Sequence, residues 1–164
     1  MKIMVLSDIH NDTDYLSLAL KIFKDENFDK LYLLGDIGVD AIYLLNDYAA
    51  KIVAVKGNCD SYDEEEASKF NLPLINFDYQ FNKFIVLSHG DFYAPYNYED
   101  KYDIFLHGHT HHSYIYKTKD EKIAANPGSL ARPRDYYHSY MVIDEKGIKI
   151  IDIDSKSIIN SLEF

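Results

Sequence analysis

Short apolar runs alternate with more polar stretches along the first third of the chain, and this alternation predicts strands and helices in turn. Asp12–Lys24 carries Leu16, Leu20 and Phe23 at helical spacing, which predicts a helix. Asp40–Ala49 predicts a second, shorter helix. Strands that alternate with helices through short loops are typical of right-handed βαβ units and a parallel sheet. The strands predicted here are Lys2–Ser7, Lys30–Leu34 and Ile52–Lys56.

The rest of the chain has a different pattern, which predicts mostly β structure. Neighbouring apolar runs separated by a few turn residues indicate hairpins. The simplest assembly is two packed sheets with helices outside, which places the chain in the α/β class. The predicted hairpins pair Leu74–Phe81 with Lys83–Ser88, Ser113–Thr118 with Lys122–Ala125, and Ser139–Asp144 with Gly147–Asp154, and Asp103–Leu106 is a further buried strand.

Length and charge narrow the possible partners. A chain of 164 residues suits a single domain, residues 1–164. Its 27 acidic and 17 basic residues give a formal net charge of −10, which repels nucleic-acid phosphates and anionic lipid. We therefore expect neither a nucleic-acid polymer nor a membrane as partner. A small phosphorylated substrate fits such a chain where bound cations offset the negative charge locally.

The cysteine content and the apolar runs bear on the compartment. Cys59 is the only cysteine, so a disulfide within the chain is impossible, which favours a reducing compartment. The first residues contain too short an apolar run for a secretion signal, and no run is long enough for a membrane-spanning helix. We therefore expect a cytoplasmic protein.

Reactive side chains follow five of the predicted strands, at the point where each strand ends. In open α/β sheets, ligands bind beyond the carboxyl ends of the strands. Each of these residues alone is typical of a helix cap, a turn or a solvated histidine. Six of the seven histidines lie at these ends, however, so the joint pattern predicts one site. The residues are Asp8 and His10, then Asp36, then Asn58, Cys59 and Asp60, then His89, and finally His107, His109, His111 and His112.

The residue types at these ends predict a centre for divalent metal ions. Neutral imidazole nitrogen together with carboxylate oxygen suits Mn, Fe, Zn, Co or Ni better than Ca or Mg. Asp36 stands on a Gly-Asp turn near the middle of the set, and its two carboxylate oxygens make it the candidate to bridge two ions. In an extended segment, His109 and His111 would place both imidazoles on one side.

The order and spacing of these motifs resemble the signature of the calcineurin-like metallophosphoesterase superfamily. The short length, the Gly-Asn-Cys-Asp variant and Asn126-Pro127-Gly128-Ser129 are similar to one branch, the small bacterial and archaeal YfcE-type phosphodiesterases. The motifs span residues 8 to 111 and read Asp8-Ile9-His10, Gly35-Asp36, Gly57-Asn58-Cys59-Asp60, His89-Gly90 and Gly108-His109-Thr110-His111.

The resemblance implies a four-layer α/β/β/α sandwich of two mixed sheets with flanking helices. It also implies two divalent ions, of which we expect manganese, with Ni, Fe, Co and Zn as alternatives. Asp60 would brace the Asn58 loop, whereas His107 and His112 would not be ligands. The implied ligands are Asp8, His10 and His111 for one ion, Asn58, His89 and His109 for the other, and Asp36 for both.

The resemblance further implies a phosphodiesterase acting on small substrates, in which a hydroxide bridging the two ions attacks phosphorus. Many members carry a histidine at the Cys59 position, where it is proposed to protonate the leaving oxygen. A thiol, with a pKa of about 8.5, is a weak substitute, so we expect aryl diesters to be hydrolysed faster than alkyl ones. The candidate catalytic residues are Asp36, Asn58, Cys59 and Asp60.

Arg132 and Arg134 are candidates for substrate binding. Both follow the Pro127-Gly128-Ser129 turn, and their fork-shaped donors match phosphate oxygens. The alternative is that both are surface arginines in contact with solvent only. Asp91–Lys101, which contains Tyr93, Tyr96 and Tyr98, is a candidate substrate wall or subunit contact.

Three alternatives stay open. The first is a phosphomonoesterase or protein phosphatase of the same superfamily, whose members usually carry histidine at the Cys59 position. The second is a non-catalytic scaffold similar to a retromer subunit, which intact metal ligands disfavour. The third is a metal-binding stress or storage protein. Relatives of this kind are often homo-oligomers, so a dimer or tetramer is possible, and the sequence does not specify the physiological substrate or the native metal.

Overall fold

The computed structural model describes residues 1–92 and 101–164. Within these ranges the strands form one six-stranded and one five-stranded sheet, and both sheets are mixed. The strands are β1 (Ile3–Leu6), β2 (Lys30–Leu33), β3 (Ile52–Ala54), β4 (Ile75–Gln80), β5 (Lys83–Ser88), β6 (Ile104–Leu106), β7 (Ser113–Lys117), β8 (Ile123–Pro127), β9 (Ser139–Asp144), β10 (Gly147–Asp152) and β11 (Ile158–Glu163).

The six-stranded sheet has the strand order β11-β10-β9-β1-β2-β3. Its β1, β2 and β3 are parallel, with Val5 opposite Tyr32 and Tyr32 opposite Val53. Strands β9, β10 and β11 extend the sheet in antiparallel pairs beyond β1. The carboxyl ends of the three parallel strands therefore meet at one edge of the sheet.

The five-stranded sheet has the strand order β4-β5-β6-β8-β7. Strands β5, β6 and β8 are parallel, and the hairpins add the outer strands in antiparallel pairs. The β4–β5 hairpin turns at Phe81 and Asn82, whose φ angles of 57° and 56° are typical of the two-residue type I′ turn. This turn matches the right-handed twist of the strands and keeps the predicted hairpin in register.

Helices cover the outer face of the six-stranded sheet. The side chain of Asp12 caps the first helix, α1 (Thr13–Asp25), by accepting from the Tyr15 N–H at 3.0 Å. The side chain of Asn11 accepts from the first turn of the second helix, α2 (Val39–Leu45), and takes the place of the side-chain cap that Gly38 lacks. The helices are α1 (Thr13–Asp25), α2 (Val39–Leu45) and α3 (Tyr62–Ala67), and a 3₁₀ segment, Asn46–Lys51, continues α2.

The pleat of each strand separates two apolar layers. On β1, Met4 and Leu6 face the helices, whereas Ile3 and Val5 face the second sheet, as alternation requires. All four side chains are fully buried, because helices cover one face and the five-stranded sheet covers the other. On the outer face of the five-stranded sheet, Val86, Tyr102 and Phe105 form a smaller apolar cluster.

The predicted two-sheet sandwich with flanking helices is confirmed. Residues 1–92 and 101–164 supply no helix to the outer face of the five-stranded sheet, where the fourth layer of the expected sandwich would lie. No helix within those two ranges is long and apolar enough to cross a membrane. Tyr93, Tyr96 and Tyr98, the candidate substrate wall, lie outside the described residues.

The structure differs from the predicted elements in a few places. The second helix ends at Leu45 and tightens into a 3₁₀ turn, whereas the sequence predicts one helix to Ala49. Helix α3 and strand β11 were not predicted. Helix α3 is short and acidic, and it begins with a capping box in which Ser61 and Glu64 exchange hydrogen bonds. That S-x-x-E pattern is the sequence signal for it.

Candidate metal centre

The loops that follow the parallel strands are joined by main-chain hydrogen bonds beyond the strand ends. The Asp8 N–H donates to Gly35 O at 3.1 Å, and the His10 N–H donates to Asp36 O at 2.8 Å. In the second sheet, the Gly108 N–H donates to His89 O at 3.0 Å. These bonds hold the loops after β1, β2, β5 and β6 side by side, so their side chains converge at one edge of the sandwich.

Three predicted ligands form a group that we call the first half-site: Asp8, His10 and His111. The Nε2 atoms of His10 and His111 lie 3.2 Å apart. Asp8 Oδ1 lies 3.1 Å from His111 Nε2 and 3.9 Å from His10 Nε2. Three potential metal-ligand atoms, two from the loop after β1 and one from the loop after β6, are therefore close together, a spacing that a single cation can satisfy.

Asp8 supplies the observation that fits a cation best. Its carboxylate is fully buried, and Oδ1 has no hydrogen-bond partner. The other oxygen, Oδ2, accepts from Ser7 Oγ at 2.7 Å and from the His109 N–H at 3.0 Å. A buried carboxylate oxygen without a partner is costly unless an ion compensates it. Carboxylate and imidazole donors are the mixture that divalent transition metals take.

Asp36 lies between the two groups of ligands. Its Oδ2 is 3.8 Å from His10 Nε2 and 3.4 Å from His89 Nε2, while Oδ1 accepts from the Cys59 N–H at 2.8 Å. Burial raises the pKa of Asp36, but its hydrogen bonds with His89 and Cys59 outweigh burial and hold that pKa well below the usual range. Asp36 is therefore a carboxylate at neutral pH, with one oxygen directed at both histidines.

The remaining predicted ligands, Asn58, His89 and His109, form the second half-site. Asn58 Oδ1 lies 2.9 Å from His89 Nε2 and 3.0 Å from His109 Nδ1. The Leu34 carbonyl oxygen lies 2.7 Å from His89 Nδ1, and because a carbonyl only accepts, Nδ1 carries a proton. His111 is fixed likewise by the Arg132 carbonyl, 2.7 Å from its Nδ1. Both rings thus direct Nε2 at the cluster.

Protonation differs between the two half-sites. Burial lowers the pKa of His89, but Asp36 outweighs burial and raises that pKa to about 9. His89 therefore holds a second proton near neutral pH, at the nitrogen that faces Asp36 and Asn58. Burial lowers the pKa of His10, opposed by Asp36 and Asp8 and assisted by smaller effects of His111 and Arg132. The His10 ring is therefore neutral at neutral pH, and the neutral ring is the form that binds a cation.

Asp60 braces the loops that carry Asp36 and Asn58. Its Oδ2 accepts from the Asp36 N–H at 2.9 Å and from the Gly57 N–H at 2.8 Å, and its Oδ1 accepts from the Ile37 N–H at 2.7 Å. Burial raises the pKa of Asp60, and these N–H donors oppose the increase. Asp60 therefore joins the turn after β2 to the turn after β3.

Backbone conformation sets the direction of many of these side chains. Five of the seven predicted ligands adopt the left-handed region, which is sparsely populated by residues other than glycine. Gly57 and Gly108 allow close approach, since a Cβ would collide with Asp36 at Gly57 and with Ser7 at Gly108. The five left-handed ligands are Asp8 (φ 52°), His10 (47°), Asp36 (52°), His109 (66°) and His111 (60°).

Cys59 lies beside the cluster and is exposed. Its thiol lies close to a nitrogen of His10 and an oxygen of Asp36, and Asn58 Nδ2 donates to its Sγ at 3.5 Å. Burial, followed by Asp36, raises the pKa of the thiol to about 11. Cys59 is therefore protonated at neutral pH and is a weak acid.

The end of β8 and the segment after it supply two residues whose roles the sequence did not indicate. Ser129 Oγ donates to the Asp8 carbonyl at 2.8 Å and accepts from the Arg132 N–H at 2.8 Å. Asn126 Nδ2 donates to Gly108 O at 2.8 Å. Both residues belong to the Asn-Pro-Gly-Ser run. This run is one of the motifs of the family resemblance, which assigned it no role. The run fastens the loops of Asp8 and His109 to the segment that contains the two arginines.

The other three histidines belong to none of the groups of potential metal ligands among the described residues. His107 is buried, its ring contacts the Gly108 carbonyl and the Tyr114 hydroxyl, and burial lowers its pKa. His112 is exposed. His138 stacks on Tyr15 with ring centroids 4.0 Å apart. That His107 and His112 are not ligands stays a prediction.

Comparisons with known proteins identify the family of this chain. The calcineurin-like phosphoesterase superfamily domain matches residues 1–147. Phosphodiesterase YfcE of Escherichia coli K12 is 28% identical over 97% of this chain and 96% of its own. The solved structure of E. coli YfcE, a phosphoesterase, has a TM-score of 0.90 at 27% identity and covers 99% of both chains. Vacuolar protein sorting 29 of Cryptosporidium parvum, at a TM-score of 0.75 and 18% identity, shares the fold. The chain belongs to the calcineurin-like phosphoesterase superfamily.

Proposed function

We propose that this chain is a metal-dependent phosphodiesterase that hydrolyses small phosphodiesters with two divalent ions. The observation that carries the proposal is the buried, unpartnered Asp8 Oδ1 beside two imidazole nitrogens. The similarity to phosphodiesterase YfcE over nearly the whole chain supports the same reaction. The proposed ligands are Asp8, His10 and His111 for one ion, Asn58, His89 and His109 for the other, and Asp36 for both.

When bound, the two ions supply an acidified water as nucleophile and offset the negative charge that develops on the phosphoryl oxygens. The chain's own contribution is to hold the ligands. The main-chain oxygens of Leu34 and Arg132 fix the tautomers of His89 and His111. Asp60 fixes the turn that carries Asp36, so that little reorganisation is needed when substrate binds.

Cys59 determines which leaving groups are suitable. A thiol with a pKa near 11 transfers its proton poorly to an alkoxide at neutral pH. Phosphodiesters with good leaving groups, such as nitrophenolate, should therefore be hydrolysed faster than matched alkyl diesters. Replacing Cys59 with histidine should reduce this difference. Equal rates on aryl and alkyl diesters with the wild-type chain would contradict this role of Cys59.

Manganese is the metal that we propose, with Ni, Fe, Co and Zn as alternatives, because the mixture of imidazole and carboxylate ligands suits all five. We also propose that residues 1–164 act as one catalytic domain, that the chain is cytoplasmic, and that it forms a dimer or tetramer. Arg132 and Arg134 are proposed to bind substrate phosphate, since they are the only arginines in the chain and lie beside His111.

The test is hydrolysis of bis(p-nitrophenyl) phosphate and p-nitrophenyl phosphate after removal of metal and addition of each ion in turn. We expect no turnover of either compound by the metal-free chain and preferential turnover of the diester with manganese. Preference for the monoester would favour the phosphomonoesterase alternative. Absence of turnover with every ion would favour the scaffold alternative, which the YfcE match supports less.

A further inference from the structure

The segment Ser129–Tyr137 is fastened to the first half-site at several points. The His111 ring donates to Arg132 O at 2.7 Å, and the Arg134 N–H donates to His111 O at 3.0 Å. Asp135 Oδ2 accepts from the Ser113 N–H at 2.6 Å. The main chain of the segment up to Asp135 is therefore held beside the proposed ligands.

Tyr136 follows directly on this fixed stretch and has an unusual conformation. Its φ is 74°, in the left-handed region, where a bulky residue is an outlier and carries a conformational cost. The side chain is 95% exposed, so no apolar burial offsets that cost. Asn, Asp or Gly would occupy the position with less strain. A strained, exposed aromatic ring thus stands two residues from Arg134, at most about 7.6 Å of chain.

The charge of the segment suits an anionic ligand. The chain has a net charge of −10, yet both of its arginines lie here, two residues apart. Arginine forks bind phosphate oxygens, and an adjacent tyrosine ring offers a flat surface for an aromatic group. A phosphodiester with an aromatic substituent matches both features at once.

We propose that Tyr136 is a specificity-determining residue whose ring stacks on the retained aryl or nucleobase group, the ester group that stays on phosphorus, of the phosphodiester bound at the metal centre. This inference rests on the proposed function. It names the substrate class as phosphodiesters whose retained ester group is aromatic or carries a nucleobase. The stacking requires contact with the ester group and has no part in the cleavage of the P–O bond.

The kinetic test uses two substrates with the same leaving group, bis(p-nitrophenyl) phosphate and methyl p-nitrophenyl phosphate, with the manganese-loaded chain. Tyr136→Asn should raise KM for the aryl diester by on the order of tenfold. For this variant, kcat/KM for methyl p-nitrophenyl phosphate and the melting temperature should not fall. Tyr136→Phe, which keeps the ring, should behave as wild type, and Tyr116→Asn is the matched control at another exposed tyrosine. An unchanged aryl-to-methyl ratio in Tyr136→Asn would overturn the proposal.

A binding measurement separates this inference from the proposed function. Diphenyl phosphinate and dimethyl phosphinate contain no P–O–C bond to hydrolyse, and calorimetry reports their affinity without turnover. We expect wild type to prefer the diphenyl compound and Tyr136→Asn to lose that preference. If these binding results are obtained while no diester is hydrolysed, the stacking site is supported and the proposed phosphodiesterase function is rejected. No preference in wild type would overturn the stacking site, whatever the turnover.

Discussion

The two half-sites differ in the hydrogen-bond partners of their polar atoms and in the backbone conformation of their ligands. In the first, Asp8 Oδ1 is buried without a partner, and all three ligand residues adopt left-handed backbone conformations. In the second, the neutral Asn58 Oδ1 already lies within hydrogen-bonding distance of two imidazole nitrogens, and only His109 has a positive φ. A proton on His89 occupies the second half-site without an ion, whereas Asp8 Oδ1 in the first has no hydrogen-bond partner.

This difference predicts an order of binding. The first half-site has its own carboxylate as well as a share of Asp36, whereas the second has a neutral amide in the corresponding place. More ligand charge and a prearranged backbone favour tighter cation binding. We therefore expect the first ion to bind more tightly than the second, with Asp36 coupling the two.

Removing the shared ligand should have the largest effect. Asp36→Asn deprives both half-sites of their common carboxylate, and we expect turnover of bis(p-nitrophenyl) phosphate to fall by on the order of a thousandfold. Metal analysis of the purified variant should show fewer than two ions. Asp120→Asn, the same substitution at an exposed turn, is the control and should keep full activity. Full turnover with two ions in Asp36→Asn would remove this residue from the centre.

Changing each half-site separately tests the asymmetry. Asp8→Asn should weaken the tighter ion by more than about 100-fold, beyond the effect typical of a residue that only supports a ligand. Asn58→Ala should weaken the second ion and leave the tighter one nearly unchanged. Calorimetric titration with Mn²⁺ measures both affinities. Equal losses in the two variants would show that the half-sites do not differ.

Asp60 should affect both ions through the backbone. Asp60→Asn replaces a carboxylate that accepts from the Asp36, Ile37 and Gly57 amides with a side chain that has one acceptor. We expect each ion to bind about 10- to 100-fold more weakly. Circular dichroism should show a folded chain, which separates this effect from unfolding. Unchanged affinities would mean that the turns hold their shape without Asp60.

Acidity should affect the second half-site more than the first. The pKa of His89 is raised to about 9, so below that pH a proton occupies the nitrogen that the second ion needs. Affinity for the second ion should rise with pH up to about 9, by at most about tenfold per pH unit. The lowered pKa of His10 leaves that ring neutral, so the first affinity should change little above neutral pH. Parallel pH profiles for the two ions would contradict this asymmetry.

Much of the fold, and the proximity of the seven proposed ligands, could be predicted because apolar runs and strand ends are local features. Asp8, His89 and His111 each follow a recognisable strand, and the sheet brings the strand ends together. Helix α3 was missed because it is polar, although its Ser61–Glu64 capping box was a usable signal. Strand β11 was missed because it is a mostly exposed edge strand that forms by pairing with β10.

The features that distinguish the two half-sites could not be predicted from sequence. The tautomer of His89 depends on the Leu34 carbonyl, a main-chain atom that every residue type would supply. The unpartnered oxygen of Asp8 and the left-handed φ of Tyr136 are consequences of three-dimensional packing. Sequence reasoning therefore identified which residues meet, and the structure was needed to say how they differ.

Anomalous diffraction from a crystal of the chain soaked in Mn²⁺ tests directly whether these seven residues hold two ions. We expect two peaks about 3.5–4 Å apart, as in other two-metal sites. One should contact Asp8, His10 and His111, the other should contact Asn58, His89 and His109, and Asp36 should contact both. At limiting Mn²⁺ the first peak should be the stronger. No peak at this cluster, or a single ion that Asp36 does not contact, would contradict a centre of two ions that share Asp36.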